Sequence, residues 1–191
     1  MSQSVRARRQ AGLTLVETTL IVSVLAVLLA IVVPTFGRTL QVSKVAEASS
    51  SLEALYRASA SYYAVQRTLS SSAAADGSTA YCLPDAAGPA PEKPSIVPVA
   101  VDFQADTAPG VATWRALGFQ LSDPVRYSYS YLPASVACRV TAVAGEPLLI
   151  LRAEGDLDGD GVRSRFERSA NVAGPGQLAP DPVLHVQDRV E

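Results

Sequence analysis

The strongest feature of the hydropathy pattern is a long apolar run near the N-terminus. Residues 13–36 are apolar apart from Glu17 and a few Thr and Ser residues, and residues 20–33 contain a single polar side chain. Because about 20 apolar residues suffice for a helix to cross a bilayer, the run predicts a transmembrane helix. Pro34 lies near its end and removes one backbone hydrogen bond, which predicts a kink or local melting at about residues 30–34.

Residues 38–69 predict that the helix continues with a different pattern. Apolar or small side chains recur there at intervals of three and four residues, which is typical of a helix with one apolar face. That face comprises Val45, Ala48, Leu52, Leu55, Ser59, Tyr62 and Leu69. Most charged side chains, including Glu47 and Glu53, fall elsewhere. We therefore expect an amphipathic helix whose apolar stripe is covered by the rest of the chain.

The segments after the helix are first linker-like and then rich in β-formers. Residues 70–80 and 83–94 are rich in Ser, Ala, Gly and Pro and have little periodicity. Short β-rich or alternating segments follow, and they predict an antiparallel sheet of about four strands. These segments are residues 124–132, 135–143, 147–153 and 162–168, with a possible last strand at residues 183–186 and a short helical turn at residues 114–118.

The first of these strands has an aromatic face. Val125, Tyr127, Tyr129 and Tyr131 alternate with polar residues, which places them on one side of a strand. We expect this side to pack on the helix. The alternative is a surface used for neighbouring proteins or adhesion.

Together these patterns predict an α+β protein in which a long N-terminal helix, half in lipid, packs its other half on a small antiparallel sheet. The expected organisation is a leader at residues 1–12, a transmembrane half-helix at residues 13–36, an amphipathic half-helix at residues 37–69 and a C-terminal globular domain at residues 70–191.

Charge refines the topology of this arrangement. The formal net charge of the 191 residues is -2, but the first twelve residues contain three arginines and no acid, so the body of the chain is mildly acidic. Basic residues before the apolar run place the N-terminus on the cytoplasmic side. No basic patch with interleaved aromatics indicates nucleic-acid binding. The alternative of an ordinary secretory signal peptide is less favoured, because Gly12 precedes the apolar stretch and no A-x-A pattern closes it.

The first 36 residues resemble the class III leader of type IV pilins and pseudopilins. The shared features are an arginine-bearing leader, the core Gly-Leu-Thr-Leu-Val-Glu at residues 12–17, an unbroken apolar run and a proline near its end. The resemblance implies that a prepilin peptidase cuts between Gly12 and Leu13 and that Leu13 is then N-methylated. Pro34 stands where these proteins usually have a proline. Leu13 departs from the usual Phe.

The resemblance also implies a pilin-like fold and a function. The chain would be a major or minor structural subunit of a type IV pilus-like filament, stored in the inner membrane and assembled with other pilin subunits outside it. A type II secretion pseudopilin is the close alternative. A membrane-anchored, calcium-dependent binding module is an alternative from another class, although a permanent anchor would not need a cut after Gly12.

Glu17 is the only charged residue in the apolar run, and burying an unpaired carboxylate in lipid is costly. A cut after Gly12 would create a positive amine at Leu13. We hypothesise that this amine neutralises Glu17 of a neighbouring subunit, so that the ion pair sets the register between stacked helices. The alternative is that Glu17 lies close enough to the cytoplasmic end of the helix to reach water.

An acidic motif at residues 156–167 fits the spacing of a calcium loop. Asp156, Asp158 and Asp160 alternate, Gly161 permits a sharp turn, and Glu167 occupies the twelfth position. The carbonyl of Val162 and the hydroxyl of Ser164 are further candidate ligands. Because the flanks look like strands and not helices, Glu167 could point away, which would leave the three aspartates. A solvated Asp-Gly turn is the alternative.

The remaining chemistry is sparse. Cys82 and Cys138 are compatible with one disulfide if the chain is exported, or with two reduced, buried thiols. His185 is the only histidine, and we expect it to be a surface or strand residue. Because no nucleophile, phosphate-binding or metalloprotease motif occurs, the sequence does not predict an enzyme.

Overall fold

The computed structural model describes residues 14–68, 79–135, 138, 142 and 145–188. The protein is an α+β chain with an N-terminal apolar helix and an antiparallel sheet, in agreement with the predicted class. The chain divides into two compact units, Met1–Ser43 and Lys44–Glu191.

The N-terminal helix, α1, spans Leu15–Tyr63. Its helical backbone continues through Pro34, so the predicted local melting does not occur. The helix ends earlier than residue 69, because the chain pairs as β1 (Arg67–Thr68) with β2 (Thr79–Ala80). Leu69, the last residue of the predicted apolar face, lies outside the described residues.

The main sheet has six strands, and every pairing within it is antiparallel. The strand order is β3-β4-β5-β6-β7, and β8 also pairs with β6. These elements, with the short helix α2, are β3 (Ala87–Ala90), α2 (Val111–Leu117), β4 (Ser128–Pro133), β5 (Leu149–Gly155), β6 (Ser164–Gly174), β7 (Gln177–Pro180) and β8 (His185–Gln187).

Two sequence predictions about strands were wrong. The strand predicted at residues 135–143 is not formed at its described residues, and the others lie outside the described chain. The second error concerns the linker-like stretch, which contains β3. Ala87 and Ala90 of β3 are buried and pair with Tyr131 and Tyr129 of β4. Small side chains make this segment look like a linker, yet they allow it to lie closely against β4.

The core lies between the sheet and the second half of α1. Along β5, buried and partly exposed residues alternate, so Leu149 and Leu151 point inward. From the helix, Ala48, Leu52 and Leu55 are fully buried, as their spacing predicted. Burying a leucine side chain contributes about 1.5–3 kcal/mol before entropy is counted. These positions therefore provide much of the free energy that holds the second half of α1 against the sheet.

The predicted aromatic face of β4 is confirmed as a packing surface. Tyr127, Tyr129 and Tyr131 are fully buried, and the last two lie against Ser51 and Ser59 of α1. Burial, which disfavours a phenolate, is the main cause that raises the pKa of Tyr127 to about 12. Burial also raises the pKa values of Tyr129 and Tyr131.

These pKa shifts predict alkaline unfolding. An unfolded tyrosine ionises near pH 10, whereas folded Tyr127 ionises near pH 12. The raised native pKa leaves stability intact below pH 10 and reduces it as the pH rises from 10 to 12. In urea titrations followed by circular dichroism, Tyr127→Phe should lessen this decline, because it removes one of the three tyrosines whose pKa values are raised. An unchanged decline in Tyr127→Phe would contradict this explanation.

Two ion pairs fasten the helix to the sheet. Arg126 Nη1 lies 3.1 Å from Glu47 Oε2, and Arg168 Nη1 lies 3.1 Å from Glu53 Oε2. The backbone N–H of Arg126 also donates to Glu47 Oε1 at 2.7 Å. Both glutamates were expected away from the packed face, but long side chains at its margin reach Arg168 in β6 and Arg126 just before β4.

Candidate functional site

The first part of α1 carries an uncovered apolar surface. Within the described residues, Leu15–Val32 is the one stretch long and apolar enough to cross a membrane, with a mean hydropathy of 2.6 and none of it buried. A membrane anchor and a signal sequence both have this character. Because water is a poor solvent for so much apolar surface, this segment requires lipid or protein around it.

Glu17 lies in the first turn of this helix and forms a capping box with Thr14. The Thr14 N–H and Oγ1–H both donate to Glu17 Oε2, at 3.1 and 3.0 Å, and the Glu17 N–H donates to Thr14 Oγ1 at 3.3 Å. The pair thus satisfies backbone donors at the helix start. The sequence signal for this capping box is Thr-x-x-Glu just before an apolar run.

The other residues of the predicted processing and assembly site have less structural detail. Gly12 and Leu13 lie outside the described residues. Pro34 lies within α1. Among these predicted residues, side-chain contacts are therefore described for Glu17, at the start of the uncovered apolar segment.

The aspartates of the acidic motif come together in the turn between β5 and β6. One carboxylate oxygen from each of Asp156, Asp158 and Asp160 lies within 4.8 Å of the others. The turn is held by its own backbone, since Gly159 N–H donates to Asp156 Oδ1 at 2.8 Å and Val162 N–H donates to Asp160 Oδ1 at 2.7 Å. Asp158 and Asp160 are exposed, and Asp156 is partly buried.

The additional candidate ligands do not join this cluster through their side chains. Ser164 begins β6, where its buried hydroxyl donates to Gly155 O at 3.2 Å. Glu167 lies further along β6 and accepts a hydrogen bond from Arg152 Nε at 2.6 Å. Because the strand starts soon after the turn, it carries Glu167 away from the aspartates, as expected for a β-flanked motif. Val162 is half exposed beside the turn.

Cys82 and Cys138 form a disulfide with an S–S distance of 2.02 Å. Their sequence separation is 56, so the bond joins the segment before β3 to the segment between β4 and β5. Closing a long loop restricts the unfolded chain and thereby favours the folded state. His185 is exposed at the start of β8, opposite Glu167.

No family model matches this chain, and neither a curated protein nor a solved structure matches it.

Proposed function

We propose that the chain is a non-enzymatic structural subunit, a major or minor pilin, of a type IV pilus-like filament with a pilin-like fold. The observation that carries this proposal is an apolar helical segment, Leu15–Val32, that no other described part of the chain buries and that has Glu17 in its first turn. The resemblance of residues 1–36 to a prepilin leader implies how the chain would mature, by cleavage after Gly12 and N-methylation of Leu13.

Two kinds of surroundings could cover the apolar side chains of this segment. In the inner membrane, lipid chains cover its aliphatic side chains. In a filament, the same side chains would contact equally apolar helices of other subunits. Exchanging one apolar environment for the other changes the free energy little, so subunits could be stored in the membrane and extracted by a motor. The globular unit would then lie outside the inner membrane, where the Cys82–Cys138 disulfide is chemically favoured.

N-terminal sequencing and intact mass measurement of the mature protein test the proposal. The expected N-terminus is N-methylated Leu13, after removal of residues 1–12 by a prepilin peptidase with methyltransferase activity. Gly12→Val, which puts a branched side chain before the cut, should leave the leader attached. Leu13→Phe, the usual residue of the family, should be processed normally and serves as the control.

Two outcomes would contradict the filament proposal. Membrane-embedded protein that retains Met1 would identify a permanent anchor, in line with the membrane-anchored binding module. A mature N-terminus beyond residue 36 would identify an ordinary signal sequence. Both outcomes leave the fold unchanged and are distinguished by mass alone.

The acidic turn favours a calcium ion as a ligand of the globular unit. The carboxylates of Asp156, Asp158 and Asp160 approach one another closely, and hard oxygen donors are the ligands that calcium prefers. Backbone carbonyls near Val162 would complete such a set. Bound calcium would fasten the β5–β6 turn. A calcium-binding globular unit is also the feature that favours a secretion pseudopilin as the second candidate.

Calcium should therefore raise the melting temperature of the full chain in detergent. An ion at 100 times its dissociation constant stabilises the folded state by about 2.7 kcal/mol, and a chelator should remove this gain. Asp158→Asn should abolish the difference, because an amide can still accept the bond from the Asp160 N–H, 3.2 Å in the structure, but lacks the charge. Asp123→Asn, at an exposed acid elsewhere, is the control. Equal melting with calcium and with chelator would refute the site.

A further inference from the structure

A run of apolar residues lies on the surface of the globular unit. Residues 96–100, Ile-Val-Pro-Val-Ala, are exposed at every position, with exposed fractions of 51% at Ile96 and 69% at Val97. The side chain of Ile96 also reaches the acidic turn, where it lies against Gly159. Exposed runs of roughly three or four consecutive apolar residues are avoided in soluble proteins unless they serve a function. We refer to residues 96–100 as the apolar loop.

The apolar loop lies at the end of the globular unit where α1 enters it. Just before the loop, the Ser95 N–H donates to Arg126 O at 3.0 Å. Arg126 in turn binds Glu47 with an Nη1–Oε2 distance of 3.1 Å. Glu47 lies close to Lys44, the first residue of this unit. The loop is thus attached beside the point at which the chain arrives from the apolar segment.

The short connection to the apolar segment keeps a bilayer near the apolar loop. Residues 33–43 alone separate Leu15–Val32 from the globular unit. Because an extended chain spans at most about 3.6 Å per residue, this connection cannot exceed about 40 Å. A surface tethered so closely is present at a high effective concentration, which a freely diffusing partner does not reach. Lipid around the apolar segment is therefore the favoured occupant of the loop.

The backbone of the apolar loop suits lipid better than a partner strand. The Val97 N–H donates to Ser95 Oγ at 3.3 Å. The Val99 N–H donates to Val125 O at 2.8 Å, and Pro98 has no N–H. Unpaired backbone donors are costly in lipid, whereas a partner that adds a strand requires donors that are free. The loop offers apolar side chains on a backbone whose donors at these positions are already satisfied or missing.

We propose that the apolar loop inserts its side chains into the surface of the bilayer that holds the apolar segment. The loop contains no charged residue, so insertion removes apolar surface from water without desolvating an ion. The inference rests on the membrane-inserted state of the proposed function. It does not rest on cleavage, methylation or filament assembly, because an uncut anchor would hold the loop at the same surface.

A lipid-borne quencher measures this contact directly. The full chain is reconstituted in nanodiscs of phosphatidylcholine, because anionic lipid would repel the carboxylates of the acidic turn. Val97→Cys carries a nitrobenzoxadiazole fluorophore, and the two native cysteines are already joined to each other. Lipid with a doxyl group should quench this label about twofold more than the same label at Ser135→Cys. Ser135 is exposed beyond the end of β4 that lies away from Glu47.

Further variants separate the possible outcomes. A label at Leu25→Cys, in the apolar segment, reports its insertion. Quenching at residue 25 but not at residue 97 overturns this inference alone, whereas no quenching at either overturns the membrane state as well. Ile96→Asn should lower the quenching at residue 97 about twofold, because an amide replaces apolar surface. Lys93→Gln, at an exposed polar residue beside the loop, is the control. Undiminished quenching in the Ile96→Asn variant also overturns the inference.

Discussion

Glu17→Ala is expected to leave the chain inserted in the membrane and to reduce the amount of assembled filament about tenfold or more. Removing a carboxylate should not oppose insertion, because acidic side chains within a membrane-spanning helix are costly. Assembly should suffer, because the amine of a neighbouring Leu13 would lose its partner in a medium that solvates ions poorly. Fractionation into membrane and sheared filament, followed by immunoblotting, measures both quantities.

The capping box with Thr14 offers a competing role for Glu17, and two further variants separate the roles. Glu17→Gln keeps a side chain that can cap the helix but removes the charge. Thr14→Ala removes the hydroxyl that lies 3.0 Å from Glu17 Oε2 and leaves the charge in place. An intersubunit ion pair predicts that Glu17→Gln fails to assemble and that Thr14→Ala assembles. The reverse result would assign Glu17 to the start of its own helix.

Gly88→Ala is expected to destabilise the globular unit by about 2–5 kcal/mol, since it combines backbone strain with overpacking. Gly88 has a φ of 90°, and a Cβ added to it would clash with the carbonyl oxygen of Tyr129. Because Gly88 lies in β3 and Tyr129 in the neighbouring strand β4, relieving this clash would push the two strands apart. Urea unfolding followed by the fluorescence of buried Trp114, the only tryptophan, measures the loss.

Gly118→Ala is the matched control for this effect. Gly118 also has a positive φ, 63°, but a Cβ there would meet no atom within 4 Å. The Gly118→Ala variant should be destabilised only by the strain of the left-handed backbone, about 1–2 kcal/mol. If the two variants were equally destabilised, the close approach of β3 to β4 would not be the reason that Gly88 is required.

Local periodicity was sufficient for the parts of the fold in which one face of an element is buried. The spacing of Ala48, Leu52 and Leu55 identified the packed side of α1, and the alternation around Tyr129 identified the packed side of β4. In both elements, the burial of one face imposes the period of the backbone on the sequence. This is why the α+β class and the helix-facing tyrosines could be predicted.

Features that depend on contacts between distant segments could not be predicted in this way. Ala87 and Ala90 have little hydrophobic signal, and their burial depends on remote segments such as β4 and the backbone at Gly110, which lies against Ala87. Glu53 resembled a solvent-facing charge because Arg168, its partner, is remote in sequence. For the same reason, the pairing of β6 with both β7 and β8 could not be predicted from the local sequence.

The candidate site was partly accessible from sequence. The Asp-x-Asp-x-Asp spacing located a turn whose carboxylates do converge. Asp160 belongs to the cluster and Glu167 does not, because β6 begins between them. The sequence could not give this boundary, since strand boundaries are set by pairing with β5 more than by local composition. The capping role of Thr14 could have been predicted from the sequence, because Thr14 and its partner Glu17 lie within one helical turn.

The composition of β3 also limits how copies of the globular unit can associate. The edge strand of a sheet can pair with a strand of another molecule where its backbone N–H groups are unpaired. Along this border, the Gly88 N–H donates to Pro109 O at 3.0 Å, and Pro89 and Pro91 have no N–H at all. Crowded copies are thus discouraged from pairing edge to edge into amyloid-like ribbons at this margin.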